Sequence, residues 1–141
     1  MQTPWMSVVV PAYNEEQAIG ATLEALREWL DAAGRPYEIV VVDNASQDGT
    51  ADVVHGLGDE RVRLLVNDAN RGKGFSVRRG MLETTGELRL LCDADCGSSL
   101  ASLGRMVDAS RESHVVVGSR VAEGAEAVSY THLTLPTTSR V

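Results

Sequence analysis

The sequence is short of three things, and each shortage narrows what the chain can be. It has two cysteines, Cys92 and Cys96, in 141 residues. That is too few for a disulfide framework or for a zinc site built of cysteine alone, and a reducing cytoplasm is the expected compartment. It is short of basic residues: 13 lysines and arginines against 20 aspartates and glutamates give a formal net charge of −7. Bulk negative charge argues against a nucleic-acid partner, although Arg71, Lys73, Arg78 and Arg79 form a local basic cluster. It has no apolar run long enough to span a bilayer. The opening "MQTPWMSVVV" carries no basic stretch ahead of its apolar residues, so it does not read as a signal peptide.

What is there suffices for one soluble domain with a real core: 43% of residues are hydrophobic and 23% are charged. Five apolar, β-branched runs stand out at Met6–Val10, Tyr37–Val42, Val62–Val66, Glu87–Cys92 and His114–Gly118. Most are continuous rather than alternating, which suits strands covered on both faces of a parallel sheet. Helical patterns separate them. Ile19, Leu23, Leu26 and Leu30 form one apolar stripe. Asn14 is placed to cap that helix and Gly34 with Pro36 to end it. Thr50 is placed to cap a second helix carrying Val53, Val54 and Leu57. Val77, Met81 and Leu82 mark a third; Leu100, Leu103, Met106 and Val107 mark a fourth. Strand and helix alternate throughout, without a repeat and without a linker before residue 121. The expected fold is α/β, a mostly parallel sheet with right-handed crossovers and helices on both faces. Ligands of such sheets bind beyond the carboxyl ends of the strands, so the loops after each strand carry the chemistry.

After the first run comes "PAYNEE", where Pro11 is expected to stop the strand. Tyr13 beside Glu15 and Glu16 can floor a nucleotide site or simply open a helix. After the second comes "VVDNASQDGT". Asp43 at a strand end can accept from a base or ribose, or it can close an Asx turn with Ser46 and Asp48. After the third comes "NDANRGKGFSVRRGM", where Gly72 and Gly74 allow close approach to a ligand and Lys73 supplies a cation at a helix start that favours anions. The Walker pattern fails at Asn67 and Gly74, and the dinucleotide fingerprint fails at Val77, although Asp93 lies about where that fingerprint wants its acid. After the fourth comes "LLCDADCGSS". Asp93 and Asp95 can present oxygens to a hard divalent cation that takes its other ligands from substrate phosphates, or they can be solvated turn acids. Cys92 and Cys96 read as a buried small residue and a loop residue. After the fifth comes "GSR", where Arg120 can meet a phosphate.

Taken together, "SVVVPAYNEE", "IVVVDNASQDGT", "NRGKGFSVRRGM", "DAD" and "GSR" resemble, in order and spacing, the catalytic domain of family 2 glycosyltransferases, which have the Rossmann-like GT-A fold. The resemblance covers about Met6 to Arg120, the N-terminal half of such a domain. It leans toward the branch that glycosylates dolichyl and other polyprenyl phosphates. It implies that Pro11, Tyr13, Glu15 and Asp43 hold the nucleoside, with Lys73 near the nucleotide end of the cleft. It implies that Asp93 and Asp95 are the DxD motif, holding Mg²⁺ or Mn²⁺ on the diphosphate of a UDP-glucose or GDP-mannose donor. Asp95 and Arg120 then carry the catalytic roles, Arg120 at the acceptor phosphate, with inversion at the anomeric carbon. The expected partners are a nucleotide-diphospho-sugar and a polyprenyl phosphate, and the expected place is the cytoplasm or the cytoplasmic face of a membrane. Transfer to a saccharide or other hydroxyl is the alternative acceptor chemistry, and a dinucleotide-binding oxidoreductase using "GKG" and Asp93 is the rival class. One departure stands out: the family often carries two acids and a glycine where this chain has "DNAS", so Asn44 and Ala45 leave a single carboxylate and the choice of base open.

The last fourteen residues, "VSYTHLTLPTTSRV", are unlike what precedes them. Leu133 and Leu135 alternate with threonines as in a half-buried strand. The stretch also resembles the translation of a transposon-end sequencing adapter: GTC TCT TAT ACA CAT CTG ACG CTG CCG ACG encodes Val128 to Thr137, and GTG TAG gives Val141 and a stop. The expected domain therefore runs over residues 1–127, with 128–141 a disordered, non-native tail standing where an acceptor-binding half would follow.

Overall fold

A computed structural model describes residues 3–118 and 127–130, with backbone alone at 97–99 and 127–130. The chain divides into two compact units, Met1–Gly97 and Ser98–Val141.

The first unit alternates strand and helix: β1 (Met6–Ala12), α1 (Ile19–Ala33), β2 (Tyr37–Asp43), α2 (Thr50–His55), β3 (Val62–Val66), α3 (Lys73–Leu82) and β4 (Leu88–Leu91). The strands form one parallel sheet in the order β3-β2-β1-β4. The chain steps from β1 outward to β2 and β3, then crosses back to place β4 on the other side of β1. The direction of winding thus reverses between β1 and β4, and a crevice opens where their carboxyl ends diverge.

All seven residues of β1 are buried. Successive side chains of a strand point to opposite faces, so both faces of the sheet are covered. The α1 stripe of Ile19, Leu23, Leu26 and Leu30 is at most 1% exposed, and each such side chain contributes roughly 1.5–3 kcal/mol by leaving water. Gly34 ends α1 in the left-handed conformation, φ 68°, with its N–H on the Asp31 carbonyl. Gly80 lets α3 lie against the sheet, because a Cβ there would collide with Val9 and meet Val42 at 3.1 Å. At the opposite end of the sheet from the crevice, the Ser7 hydroxyl donates to Glu38 Oε2 at 2.6 Å and accepts from the Gly86 N–H at 2.9 Å. Burial works to raise the Glu38 carboxyl, but hydrogen bonds from Ser7, the Thr85 N–H and Arg63 hold it below the usual carboxylate range. Among the described residues no helix is long and apolar enough to cross a membrane.

Three local expectations are corrected in this unit. Pro11 does not stop β1, which continues through it to Ala12, pairing Pro11 with Val42. The Val9 carbonyl accepts from Cys92 on the β4 side and the Ala12 carbonyl from Asn44 on the β2 side. By alternation Pro11 faces the β4 side, beyond Leu91, where that ladder has ended; no sheet donor is lost. Asn14 does not cap α1, which starts at Ile19 without a side-chain cap; Asn14 is instead left-handed, φ 52°, in the preceding loop. Thr50 is the first residue of α2 rather than its cap, which is Gly49.

In the second unit a 3-10 turn (Gly97–Ser102) leads into α4 (Leu103–Ala109), followed by β5 (Val115–Gly118) and β6 (Ala127–Tyr130). Leu100, read from sequence as part of the fourth helix, lies in the 3-10 turn. β5 does not join the parallel sheet as a fifth strand; it pairs antiparallel with β6, from Val115↔Tyr130 to Gly118↔Ala127. Val128 to Tyr130, the first residues of the stretch read as a tail, take part in this pairing. The rest of the tail lies outside the described residues.

Candidate functional site

The carboxyl ends of β1, β2 and β4 and the first turn of α3 enclose a cleft of about 240 Å³ at the point where the winding reverses. Pro11, Ala12, Tyr13 and Glu15 form one side. Asn44, Lys73 and Ser76 form the second, and Asp93, Ala94 and Asp95 the third.

The first side is tied to the β2–α2 loop. The Asn14 N–H donates to Ser46 Oγ at 2.8 Å, and Asn14 Oδ1 accepts from the Gln47 N–H at 2.8 Å. The Glu15 N–H donates to Thr50 Oγ1 at 2.9 Å, and Glu16 Oε2 accepts from the Gly49 N–H at 3.0 Å. Asp48 accepts from the Thr50 N–H and hydroxyl; the Thr50 hydroxyl is the main cause holding the Asp48 carboxyl below its usual range. These bonds explain why Asn14 is no cap: its side chain serves a loop 33 residues away. Tyr13 stays half exposed over the cleft.

The second side is set by Gly72, whose φ of 87° turns the chain into α3 with Lys73 as its first residue. The helix start therefore faces the cleft, where unpaired N–H groups favour an anion.

On the third side the turn at the end of β4 carries both acids. Lys73 Nζ sits 2.7 Å from Asp93 Oδ1. Cys92 is buried and Cys96 lies in the loop after β4, as read from the sequence; Cys96 is buried as well, and a disulfide, not expected from the sequence, joins the two. The cause is the tight turn through Ala94, in which the Cys96 N–H donates to the Asp93 carbonyl at 3.1 Å, bringing the two Cα atoms to 6.5 Å, within disulfide reach. The bridge brackets Asp93 and Asp95.

Glu15, Asp93 and Asp95 face Lys73 across the cleft, an excess of negative charge that a cation relieves. Among the described residues no three His, Cys, Asp or Glu side chains gather closely enough to hold a metal. Two carboxylates with open cleft beside them suit Mg²⁺ or Mn²⁺, hard ions that fill their shells with substrate phosphate oxygens.

Of the residues read from sequence, Pro11, Tyr13, Glu15, Lys73, Asp93 and Asp95 come together here. Asp43 does not line the cleft. It is 3% exposed, and its Oδ1 accepts from the N–H and hydroxyl of Ser46, three residues on, which ties down the loop after β2. Arg120 lies outside the described residues. Sequence reasoning missed Asn44 and Ser76 as lining residues. Asn44 was noted only for the acid it replaces, and Ser76 carries no signal beyond its place in the first turn of α3.

The sequence profile of the family described as Glycosyl transferase family 2 matches residues 7–140. The match draws no boundary at residue 127. A dolichyl-phosphate beta-glucosyltransferase of Drosophila melanogaster is 38% identical over 131 residues, covering 82% of this chain and 40% of that protein. An undecaprenyl-phosphate 4-deoxy-4-formamido-L-arabinose transferase of Serratia proteamaculans is 31% identical over 117 residues, covering 80% of this chain and 36% of that protein. This chain thus spans well under half the length of these relatives. Among solved structures, a mannosyltransferase of Pyrobaculum calidifontis in complex with GDP-Man and Mn²⁺ matches at a TM-score of 0.55 and 30% identity, over 67% of this chain and 28% of that one.

Proposed function

The chain belongs to glycosyl transferase family 2, and on that premise we propose that its cleft binds the nucleotide diphosphate of a sugar donor for transfer to a polyprenyl phosphate. The observation that carries this reading is the meeting of Tyr13, Glu15, Lys73, Asp93 and Asp95 around one cleft at the switch point of the sheet. Tyr13 offers a ring for the base. Glu15 offers a carboxylate on the nucleoside side. Lys73 and the start of α3 meet the phosphates. Asp93 and Asp95 would hold Mg²⁺ or Mn²⁺, and a bound divalent ion supplies charge stabilisation for the departing diphosphate. Asp43 supports the nucleoside side indirectly, by holding the loop at Ser46.

In the transfer itself, an acceptor phosphate oxygen forms a bond to the anomeric carbon as the bond to the nucleoside diphosphate breaks. The bonding pair leaves on the β-phosphate oxygen and the configuration inverts. A lipid phosphate is already anionic near neutral pH and needs no protein base to attack. Arg120 is the proposed partner of that phosphate. The names of the Drosophila and Serratia relatives support a polyprenyl phosphate acceptor; the cytoplasmic face of a membrane is the proposed place of action. Glucose carried by UDP and mannose carried by GDP are the two donors proposed.

The test is calorimetry on the 141-residue chain with UDP, GDP and NADH, each with and without Mn²⁺. Mn²⁺-dependent binding of UDP or GDP, lost in Asp95→Ala, is the expected result. Binding of NADH without metal, or nucleotide binding that survives Asp95→Ala unchanged, would overturn the reading.

A further inference from the structure

Asn44, the residue after β2, is 5% exposed, and its side-chain amide makes three hydrogen bonds to the loop before α3. Its Oδ1 accepts from the Arg71 N–H at 2.9 Å and from Asn67 Nδ2 at 3.0 Å. Its Nδ2 donates to Asn70 Oδ1 at 2.8 Å, and that same oxygen accepts from the Gly72 N–H at 3.0 Å. Asn67, also buried, passes the connection on: its Nδ2 donates to Ser76 Oγ at 2.9 Å and its Oδ1 accepts from Arg79 at 2.9 Å.

The network has one consistent orientation. A backbone N–H only donates, so the Asn44 atom facing Arg71 is oxygen and the atom facing Asn70 is nitrogen. The Asn70 atom it meets is then oxygen, which the Gly72 N–H requires independently. Arg79 likewise only donates and fixes Asn67. Every amide in the chain is determined by a group that cannot reverse its role.

We propose that Asn44 is a positioning residue that holds the Arg71–Gly72 backbone so that Lys73 and the start of α3 face Asp93 across the cleft. The role requires an amide. A carboxylate at this position accepts from Arg71 and Asn67 but cannot donate to Asn70 Oδ1; it sets two acceptors against each other across a partly buried contact, where losing the bond has a cost. This gives the "DNAS" departure a physical meaning: the first position after β2 supports the loop that leads into α3. The inference rests on the proposed nucleotide-diphosphate reading for its functional consequence, but not for its structural one.

The experiment therefore has two readouts on the 141-residue chain. The first needs no ligand. Amide hydrogen exchange at Arg71 to Gly74 is expected to rise several-fold, up to about tenfold, in Asn44→Asp, the scale of one lost hydrogen bond, while exchange at Val40 and Val41 in β2 stays unchanged. The second is Mn²⁺-dependent UDP or GDP affinity in a double-mutant cycle with Lys73→Met. Asn44→Asp is expected to weaken binding about tenfold alone, and to weaken it little further once Lys73 is gone. Should Asn44→Asp fail to fold, Asn70→Ala breaks the same link from an exposed residue and is expected to give the same exchange pattern. Unchanged exchange at Arg71 to Gly74, or additive losses in the cycle, overturns the proposal. A wild-type chain that binds no nucleotide sinks the proposed function instead, and leaves the exchange readout to decide the role of Asn44.

Discussion

Lys73 Nζ and Asp93 Oδ1 stand 2.7 Å apart across the cleft, joining the first residue of α3 to the turn after β4. The same carboxylate is proposed to hold a divalent cation, so ammonium and metal compete for it in the absence of nucleotide. Lys73→Met is therefore expected to act with opposite signs on two ligands. Affinity for Mn²⁺ alone rises a few-fold, since the pair is partly exposed and worth roughly 1 kcal/mol or less. Affinity for UDP or GDP with Mn²⁺ falls about tenfold, because a charge-assisted phosphate contact is lost. Titration with each ligand separates the two effects; equal signs would count against the shared carboxylate.

Gly80→Ala sets helix propensity against packing. Alanine favours an isolated helix by about 1 kcal/mol. Its Cβ, however, would collide with Val9 and press on Val42 at 3.1 Å, an overpacking cost of about 1–3 kcal/mol. Packing is expected to win. The melting temperature falls, and nucleotide affinity falls with it, because α3 carries Lys73. A variant more stable than the wild type would mean that the α3–sheet contact is looser than described.

Acid sensitivity has a named source. The hydrogen-bonded guanidinium of Arg61 holds the Asp59 carboxyl at about 2, below its ordinary value of 3.8, while partial burial opposes the shift. Asp31 is lowered in the same direction, chiefly by the Tyr37 hydroxyl and then by Arg61. A carboxylate with a depressed folded-state pKa contributes stability that is fully present above its unfolded value and is lost as pH falls through its folded one. Melting temperature is expected to drop between about pH 4 and pH 2. Asp59→Asn lowers stability at pH 7 and flattens that drop; an identical slope in the variant would locate the acid sensitivity elsewhere.

The tail supplies a deletion test. We propose residues 128–141 as a non-native extension, from the adapter-like reading of their sequence. Removing them is expected to leave nucleotide affinity within about two-fold and to leave the main unfolding transition in place, since the cleft is built wholly from Met1–Gly97. A fall in nucleotide affinity on deletion would tie the tail to the site. Independent reads of the source DNA across codon 128 test the origin directly.

The parallel sheet and the α1 stripe were legible because apolar continuity and periodicity are local signals. The three clustered anionic side chains and Lys73 were legible because they follow strand ends. Other features were decided by residues far away in sequence. Asn14 looked like a helix cap until its carbonyl was claimed by Gln47. Pro11 looked like a strand terminator, but its missing N–H falls where β4 has already ended. Asp43 offered two readings, and its bond to Ser46 is the local one that the sequence already placed within reach. The Cys92–Cys96 bridge depends on how tightly the turn closes, which residue type alone does not state. Asn44 was visible chiefly as a departure; its partners Asn67, Asn70 and Arg71 all lie in the loop between β3 and α3, more than twenty residues further along the chain.

The bonds that join Asn14, Glu15 and Glu16 to the 46–50 loop have a kinetic consequence. They make two separate loops move as one body before any ligand arrives, so their ordering entropy is spent during folding and not at binding. The side of the cleft proposed for the nucleoside then presents a finished surface on first encounter. On the proposed reading, the Lys73–Asp93 pair is what has to part as metal and phosphate enter. Association is accordingly expected to be slowed by that opening, and the on-rate of nucleotide with Mn²⁺ is expected to rise with ionic strength as salt loosens the pair and screens the acidic cleft.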